Sequence, residues 1–224
     1  ASEAVPFVKT GGLGDVMGAL PRELCTQGVD ARIIMPYYQG GYREEVEKKG
    51  LWLEPYVINM GWRKQQGQVL HYRGEVDTYF IKNELYFARE ELYGYSDDYE
   101  RYAFFCRAVL EGLAGIEFIP DIIHCNDWQT GPICLLLKEE YSKTHNYSKI
   151  KTIFTIHNIQ YQGIFGKESL DTLGISGAYF NPDRIEFYGN INYMKAGLVY
   201  SDLITTVSPS YAKEIQTPEY GYGL

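Results

Sequence analysis

No pair among the four cysteines, Cys25, Cys106, Cys125 and Cys134, has CxxC spacing. Disulfides and a cysteine-held zinc are therefore not expected, and thiols in apolar stretches such as these behave as small buried hydrophobes. Basic charge is scarce: 21 Lys and Arg face 29 Asp and Glu, a formal net charge of −8. That balance argues against nucleic acid and against anionic membranes, because both demand a basic footprint. No run of about 18 apolar residues is present to span a bilayer, and no signal peptide opens the sequence. The expectation is an intracellular protein, in the cytoplasm of a bacterium or in a plastid if the source is a plant. Catalytic spacings are missing too, with no HxxxH or paired Cys/His pattern for a metal and no GxSxG elbow for a serine nucleophile. Neither an internal repeat nor a Pro, Gly and Ser cluster marks a linker, so 224 residues read as one domain.

What is present is an ordinary globular composition, 45% hydrophobic and 22% charged, with 21 tyrosines and 3 tryptophans. So many amphipathic rings exceed the needs of a core, and sugar binding is one use for them. Leu13, Val16, Met17, Leu20 and Leu24 recur at helical spacing up to Gly28. Pro21 falls inside that helix and predicts a kink or a break. Asp30 to Met35 then reads as a short buried strand. Between Leu51 and Asn83 the pattern changes to β-prone pieces separated by turn residues, an antiparallel insertion. Helical spacing returns over Asp97 to Gly115, where Asp97, Asp98, Glu100 and Arg101 read as a solvated first turn. Three apolar segments, residues 121–125, 152–156 and 203–207, alternate with helices near 127–140, 192–200 and 208–215. That order predicts an α/β fold with a parallel sheet. A doubly wound domain opens with a strand feeding its glycine loop, and almost nothing precedes Ser2 and Glu3, so that first strand is expected to be clipped.

Three clusters carry the chemistry. Lys9-Thr10-Gly11-Gly12-Leu13-Gly14-Asp15 opens the first helix. Glycines let amides approach a phosphate closely, the helix N-terminus adds partial positive charge and Lys9 a full one. A diphosphate suits this loop, although the same glycines also serve a plain tight turn. Met17 stands where the GxGxxG fingerprint needs its third glycine, and the P-loop spacing is absent, so ordinary NAD and ATP readings weaken. The second cluster is His124 to Gly131 (HCNDWQTG), at a strand's carboxyl end where ligands collect in open α/β sheets. There Asp127 is a ligand contact or merely the next helix's N-cap, and Trp128 a contact or a core anchor. The third, His157 to Gly163 (HNIQYQG), packs an imidazole, three amides and a phenol into seven positions beyond another strand. Its histidine is structural or ligand-facing. Asn190, Asn192 and Lys195 read as caps and an exposed charge.

Taken in order, Ser2-Glu3 and Pro6-Phe7 before KTGGLGDV and GALP, then GVDARIIMP, HCNDWQTG, FTIHNIQYQG, NYMKAGLVYSD and TTVSPSYAKEI closely resemble the amino-terminal catalytic domain of bacterial glycogen synthases and plant starch synthases. The resemblance spans nearly the whole chain. It implies the amino-terminal half of a GT-B glycosyltransferase, two Rossmann-like halves facing a cleft, which transfers glucose with retention from ADP-glucose to the non-reducing end of an α-1,4-glucan. No metal or other cofactor is implied. By the same resemblance Lys9 and His157 are catalytic, and Lys9, Gly11, Gly12, Asp15, His157 and Asn158 meet the donor. Glu3, Asp127, Tyr93 and Tyr99 line the acceptor side. The second half, outside this chain, brings an arginine, a lysine and a glutamate to the donor. Two positions depart from the family pattern: Gly14 stands for an alanine and Gln129 for a histidine. A UDP-glucose-dependent relative and a non-catalytic glucan-binding module of the same fold are the alternatives, since fold alone separates none of them.

Overall fold

Residues 151–156 read KTIFTI, and β-branched and aromatic side chains buried toward both faces make such a run a central strand. In the computed structural model, which describes residues 1–224 apart from 117 and 145, the chain is built around it. Helix α1 (Gly12–Thr26) leads to strand β1 (Ile33–Pro36) and helix α2 (Arg43–Lys49). Strands β2 (Leu51–Trp52), β3 (Tyr56–Met60), β4 (Arg63–Arg73) and β5 (Asp77–Lys82) follow, then helices α3 (Glu84–Phe87) and α4 (Asp98–Gly112). The remainder alternates: β6 (Ile122–Asn126), α5 (Gly131–Glu139), β7 (Lys151–Ile156), β8 (Ile164–Phe165), α6 (Ser169–Leu173), β9 (Glu186–Phe187), β10 (Asn190–Asn192), α7 (Tyr193–Tyr200), β11 (Leu203–Thr206) and α8 (Pro209–Glu214).

The expected parallel sheet is β11-β7-β6, with Ile153 opposite Leu203 and His124 opposite Ile153. The antiparallel segment over residues 51–83 is also present, and it is anchored: β5 runs parallel to β1, and β4 lies antiparallel to β5 with Leu70 opposite Phe80. A third small sheet, β8-β10-β9, has no counterpart in the sequence reading, because two- and three-residue strands leave no periodicity to detect.

Pro21 does not break α1, which continues unbroken to Thr26. Leu13, Met17 and Pro21 form an i, i+4, i+8 row on the buried face, so the ring itself packs inward while one hydrogen bond is lost. The start of α4 departs further from expectation. Asp98, Glu100 and Arg101 are buried rather than solvated. The fully enclosed Arg101 guanidinium donates to the Tyr86 and Leu92 carbonyls and to Asp98 Oδ1, and such a charge is tolerable only when paired and hydrogen-bonded. Glu100 is held by Arg63 and Tyr86. Lys195 is likewise no free surface charge, since its ammonium donates to the Pro182 and Glu186 carbonyls, while Asn192 does cap α7. Cys106, Cys125 and Cys134 are buried free thiols, but Cys25 is exposed.

Helices α5 and α7 approach closely on one side of β7, and two glycines permit it. A Cβ at Gly197 would lie 2.3 Å from the Phe154 ring, and one at Gly131 would lie 2.0 Å from the Tyr193 carbonyl oxygen. The second obstacle is backbone and has little room to yield. Gly131→Ala is therefore expected to lower unfolding free energy by about 1–3 kcal/mol, the usual range for overpacking, as measured by urea denaturation.

Candidate functional site

Three loops converge at the carboxyl ends of β6 and β7, where the chain turns over the edge of the parallel sheet. Together they line a cleft of about 980 Å³. The glycine loop contributes Thr10, Gly11 and Gly12, the loop after β6 contributes Asp127, Trp128 and Gln129, and the loop after β7 contributes His157, Asn158 and residues 160–163. Glu3 and Tyr93 complete one wall. Lys9, Asp15 and Tyr99, expected at the site, are not on its lining. The Lys9 ammonium is paired with Asp15 at 2.7 Å, both side chains about half exposed. Tyr99 is structural here: its carbonyl accepts from the Tyr193 hydroxyl and its ring packs on Phe165.

The glycine loop keeps its shape through a buried carboxylate. Glu3, 4% exposed, accepts from the Thr10 amide (2.6 Å), the Thr10 hydroxyl (2.7 Å), the Gly11 amide (3.2 Å) and the Tyr93 hydroxyl (2.7 Å). One phenolic hydrogen cannot serve two acceptors, so Tyr93 donates to Glu3 and accepts from Ser2 Oγ, 2.9 Å away. Burial holds the Tyr93 phenol well above its usual range, so it stays a donor. Gly11 caps α1 without a side-chain bond, and its own amide is committed to Glu3. The amides of Gly12 and Leu13, lacking intrahelical acceptors, are the donors this helix end presents.

Asp127 binds the second loop to the third. Its backbone sits at φ 57°, a left-handed conformation uncommon outside glycine. The carboxylate does not cap the helical turn that follows it. Instead Oδ1 accepts from the His157 amide at 2.7 Å and lies 3.4 Å from the Asn158 amide. Desolvation raises the Asp127 pKa to about 7, against the opposing pull of those two amides. The His157 imidazole contacts Asn126 Oδ1 at 2.9 Å, and burial, aided by His124, lowers its pKa to about 4. His157 is thus a neutral hydrogen-bonding group near neutrality, unsuited to carrying a proton as imidazolium.

The polar set after β7 divides by direction. Gln162 is buried, accepting from Asn192 Nδ2 at 2.7 Å and donating to the Tyr222 carbonyl, while Tyr161 is 65% exposed. Gly163 adopts φ 64°, and a Cβ there would lie 2.4 Å from the Trp128 indole. Trp128 is therefore both core anchor and cleft wall, packed against Tyr102 and Phe165. Asn126 falls within the HCNDWQTG cluster but drew no role of its own from the sequence, because nothing in the spacing shows that its side chain meets His157. Among the described residues no three His, Cys, Asp or Glu side chains come together as a metal site. No helix of the described residues is long and apolar enough to cross a membrane.

Glycine loop, helix N-terminus and strand-end cleft define an α/β domain of the class whose site lies at the carboxyl ends of its parallel strands. The whole chain, residues 1–224, matches the family model described as the starch synthase catalytic domain, and the chain belongs to that family. It is 51% identical to the glycogen synthase of Anoxybacillus flavithermus over 226 residues, covering 100% of this chain and 46% of that protein. The glycogen synthase of Geobacillus stearothermophilus is likewise 51% identical over 225 residues, with 100% and 46% covered. Among solved structures, the catalytic domain of starch synthase IV from Arabidopsis thaliana bound to ADP and acarbose superposes with a TM-score of 0.84 at 31% identity, covering 100% of this chain and 47% of that one. The chain spans about half the length of the curated relatives it matches. The fold is that of the amino-terminal half of such an enzyme.

Two outcomes follow from the buried carboxylates. Glu3→Gln turns an amide NH2 toward donors and is expected to cost about 1–3 kcal/mol of stability, with faster hydrogen exchange at the Thr10 and Gly11 amides. Asp127 has a folded pKa raised from 3.8 to about 7, so the folded state binds more protons and its contribution falls as pH rises between those values. Asp127→Asn keeps an acceptor for the two amides and removes the ionisation. Its stability relative to the parent is expected to improve from pH 5 to about pH 7 and to level off above that in denaturation curves.

Proposed function

We propose that the full-length protein is a retaining glucosyltransferase that moves glucose from ADP-glucose to the non-reducing end of an α-1,4-glucan, this chain supplying one wall of its active site. The observation that carries the reading is the meeting of the open N-terminus of α1 and a neutral His157 in one cleft at the strand ends. The ADP named with the Arabidopsis structure agrees with a nucleotide diphosphate there.

When ADP departs, negative charge grows on the diphosphate and positive charge on the sugar ring. Donors already aimed at the phosphate stabilise that arrangement more than the ground state. The Gly12 and Leu13 amides fill this role with the α1 dipole behind them. Lys9 joins by exchanging Asp15 for the diphosphate, a short swing for a flexible side chain, and Asp15 is its resting partner. Gly11, whose amide is taken, gives the backbone room to approach. His157 and Asn158 face the transferred glucose with hydrogen-bonding groups rather than charge. Glu3, Asp127 and Tyr93 lie on the acceptor side, where Glu3 and Tyr93 hold the glycine loop and the Asp127 oxygen opposite the one that meets the two amides offers its lone pairs to glucan hydroxyls. A second Rossmann-like half closes the cleft, and this chain by itself transfers no glucose. The similarity to bacterial glycogen synthases supports a cytoplasmic location.

The test is glucosyl transfer by the full-length protein with ADP-glucose and UDP-glucose in competition. Transfer from ADP-glucose is expected to dominate, and Lys9→Ala to slow turnover by about two to three orders of magnitude, the cost of one transition-state donor. Near-normal turnover in that variant would remove Lys9 from the mechanism.

A further inference from the structure

Asn126 ends β6 beneath the cleft and is 1% exposed. Its side chain spans two partners. Nδ2 donates to the His124 carbonyl at 3.1 Å, and Oδ1 lies 2.9 Å from His157 Nε2. A carbonyl only accepts, so the amide's NH2 must be the end that faces His124. The opposite orientation would set two oxygens against each other in a buried position. The oxygen therefore faces the imidazole, and an amide oxygen offers only lone pairs. The backbone of Asn126 is held as well, its amide donating to Thr130 Oγ1 and its carbonyl accepting from the same hydroxyl. Neither end of the side chain has freedom to turn.

From this geometry we infer that Asn126 is a positioning residue that locks His157 as the Nε2–H tautomer, so that Nδ1 faces a ligand as a lone-pair acceptor. No described protein group bonds to Nδ1. An Nδ1 acceptor receives a hydrogen bond from a sugar hydroxyl's O–H and is mismatched to an anionic or purely accepting group, so the tautomer selects a polyol rather than a phosphate at this point of the cleft. The consequence for the donor rests on the glucosyltransferase reading; the tautomer does not. The charged and titratable side chains around the imidazole are Glu3, His124 and Asp127, whose carboxylate holds the His157 amide. Of these none bonds to the ring, which leaves Asn126 as the described group that chooses between the two nitrogens.

The experiment is nitrogen-15 NMR of the full-length protein labelled at histidine, with the His157 signals assigned by their loss in His157→Gln. The parent is expected to show a protonated Nε2 and a bare Nδ1 from pH 8 to pH 5.5. Asn126→Asp keeps the shape but sets a carboxylate against Nε2–H, so the titration of His157 should move upward from its present position near pH 4. Asn126→Leu removes the acceptor and releases the proton to Nδ1, with KM for ADP-glucose rising about tenfold, a single hydrogen bond's worth, while KM for the glucan stays within threefold. Thermal melts of each variant separate these effects from unfolding. A bare Nε2 in the parent, or an unchanged tautomer and titration in both variants, overturns the inference. Because the tautomer is read without substrate, its failure is distinct from failure of the glucosyltransferase reading.

Discussion

A carboxylate taken out of water must find donors, and around this cleft the donors are the backbone amides of the loops themselves. Glu3 gathers the Thr10 and Gly11 amides and draws in Tyr93; Asp127 reaches across to the amides of His157 and Asn158. The Glu3 bonds to the glycine loop are local, while those from Tyr93 to Glu3 and from the third loop to Asp127 join segments 90 and 30 residues apart. Without them the glycine loop and the strand-end loops would be free to separate, and no wall of the cleft would keep its position relative to the others. The same desolvation that makes the contacts strong makes Asp127 reluctant to ionise, so rigidity and a displaced pKa have a single cause.

Beneath the loops, the scaffold is stiff because its layers touch closely. Gly131 and Gly197 bring α5 and α7 to within contact of the Tyr193 backbone and the Phe154 ring, while Gly163 lets the third loop rest directly on Trp128. Trp128 in turn abuts Tyr102 and Phe165, so the cleft wall is continuous with the main core. Buried ions are handled in the same manner as the loop carboxylates. Arg101 donates to two carbonyls and to Asp98, leaving the first turn of α4 inside the protein rather than in solvent.

Much of the plan was legible in the residues alone. The helix after the glycines, the strand at β7, the parallel order of β6, β7 and β11, and the antiparallel segment that ends in β5 all follow from periodicity and apolar runs. The candidate residues Glu3, Gly11, Gly12, Tyr93, Asp127, His157 and Asn158 all line one cleft. Where reading failed, the competing interaction was tertiary. Pro21 stays in an unbroken helix because burial of its ring outweighs one lost hydrogen bond; Asp98 and Arg101 look like solvated helix-start charges until a partner closes over them. Short strands such as β8 and β9 have no period to read.

Local sequence determined the chemistry on offer: glycines and a lysine at a helix mouth, an imidazole and amides past a strand end, acidic balance overall. These depend on residue type and on spacing within a few positions, which is why they were readable. Direction was decided only by folding. That the Glu3 carboxylate turns into the glycine loop, that Lys9 pairs with Asp15 off the cleft lining, and that Asn126 selects which imidazole nitrogen holds the proton depend on segments up to 90 residues apart meeting at hydrogen-bond distance. A hydrogen bond is short-ranged and directional, and no pattern along the chain encodes which distant atom will stand opposite.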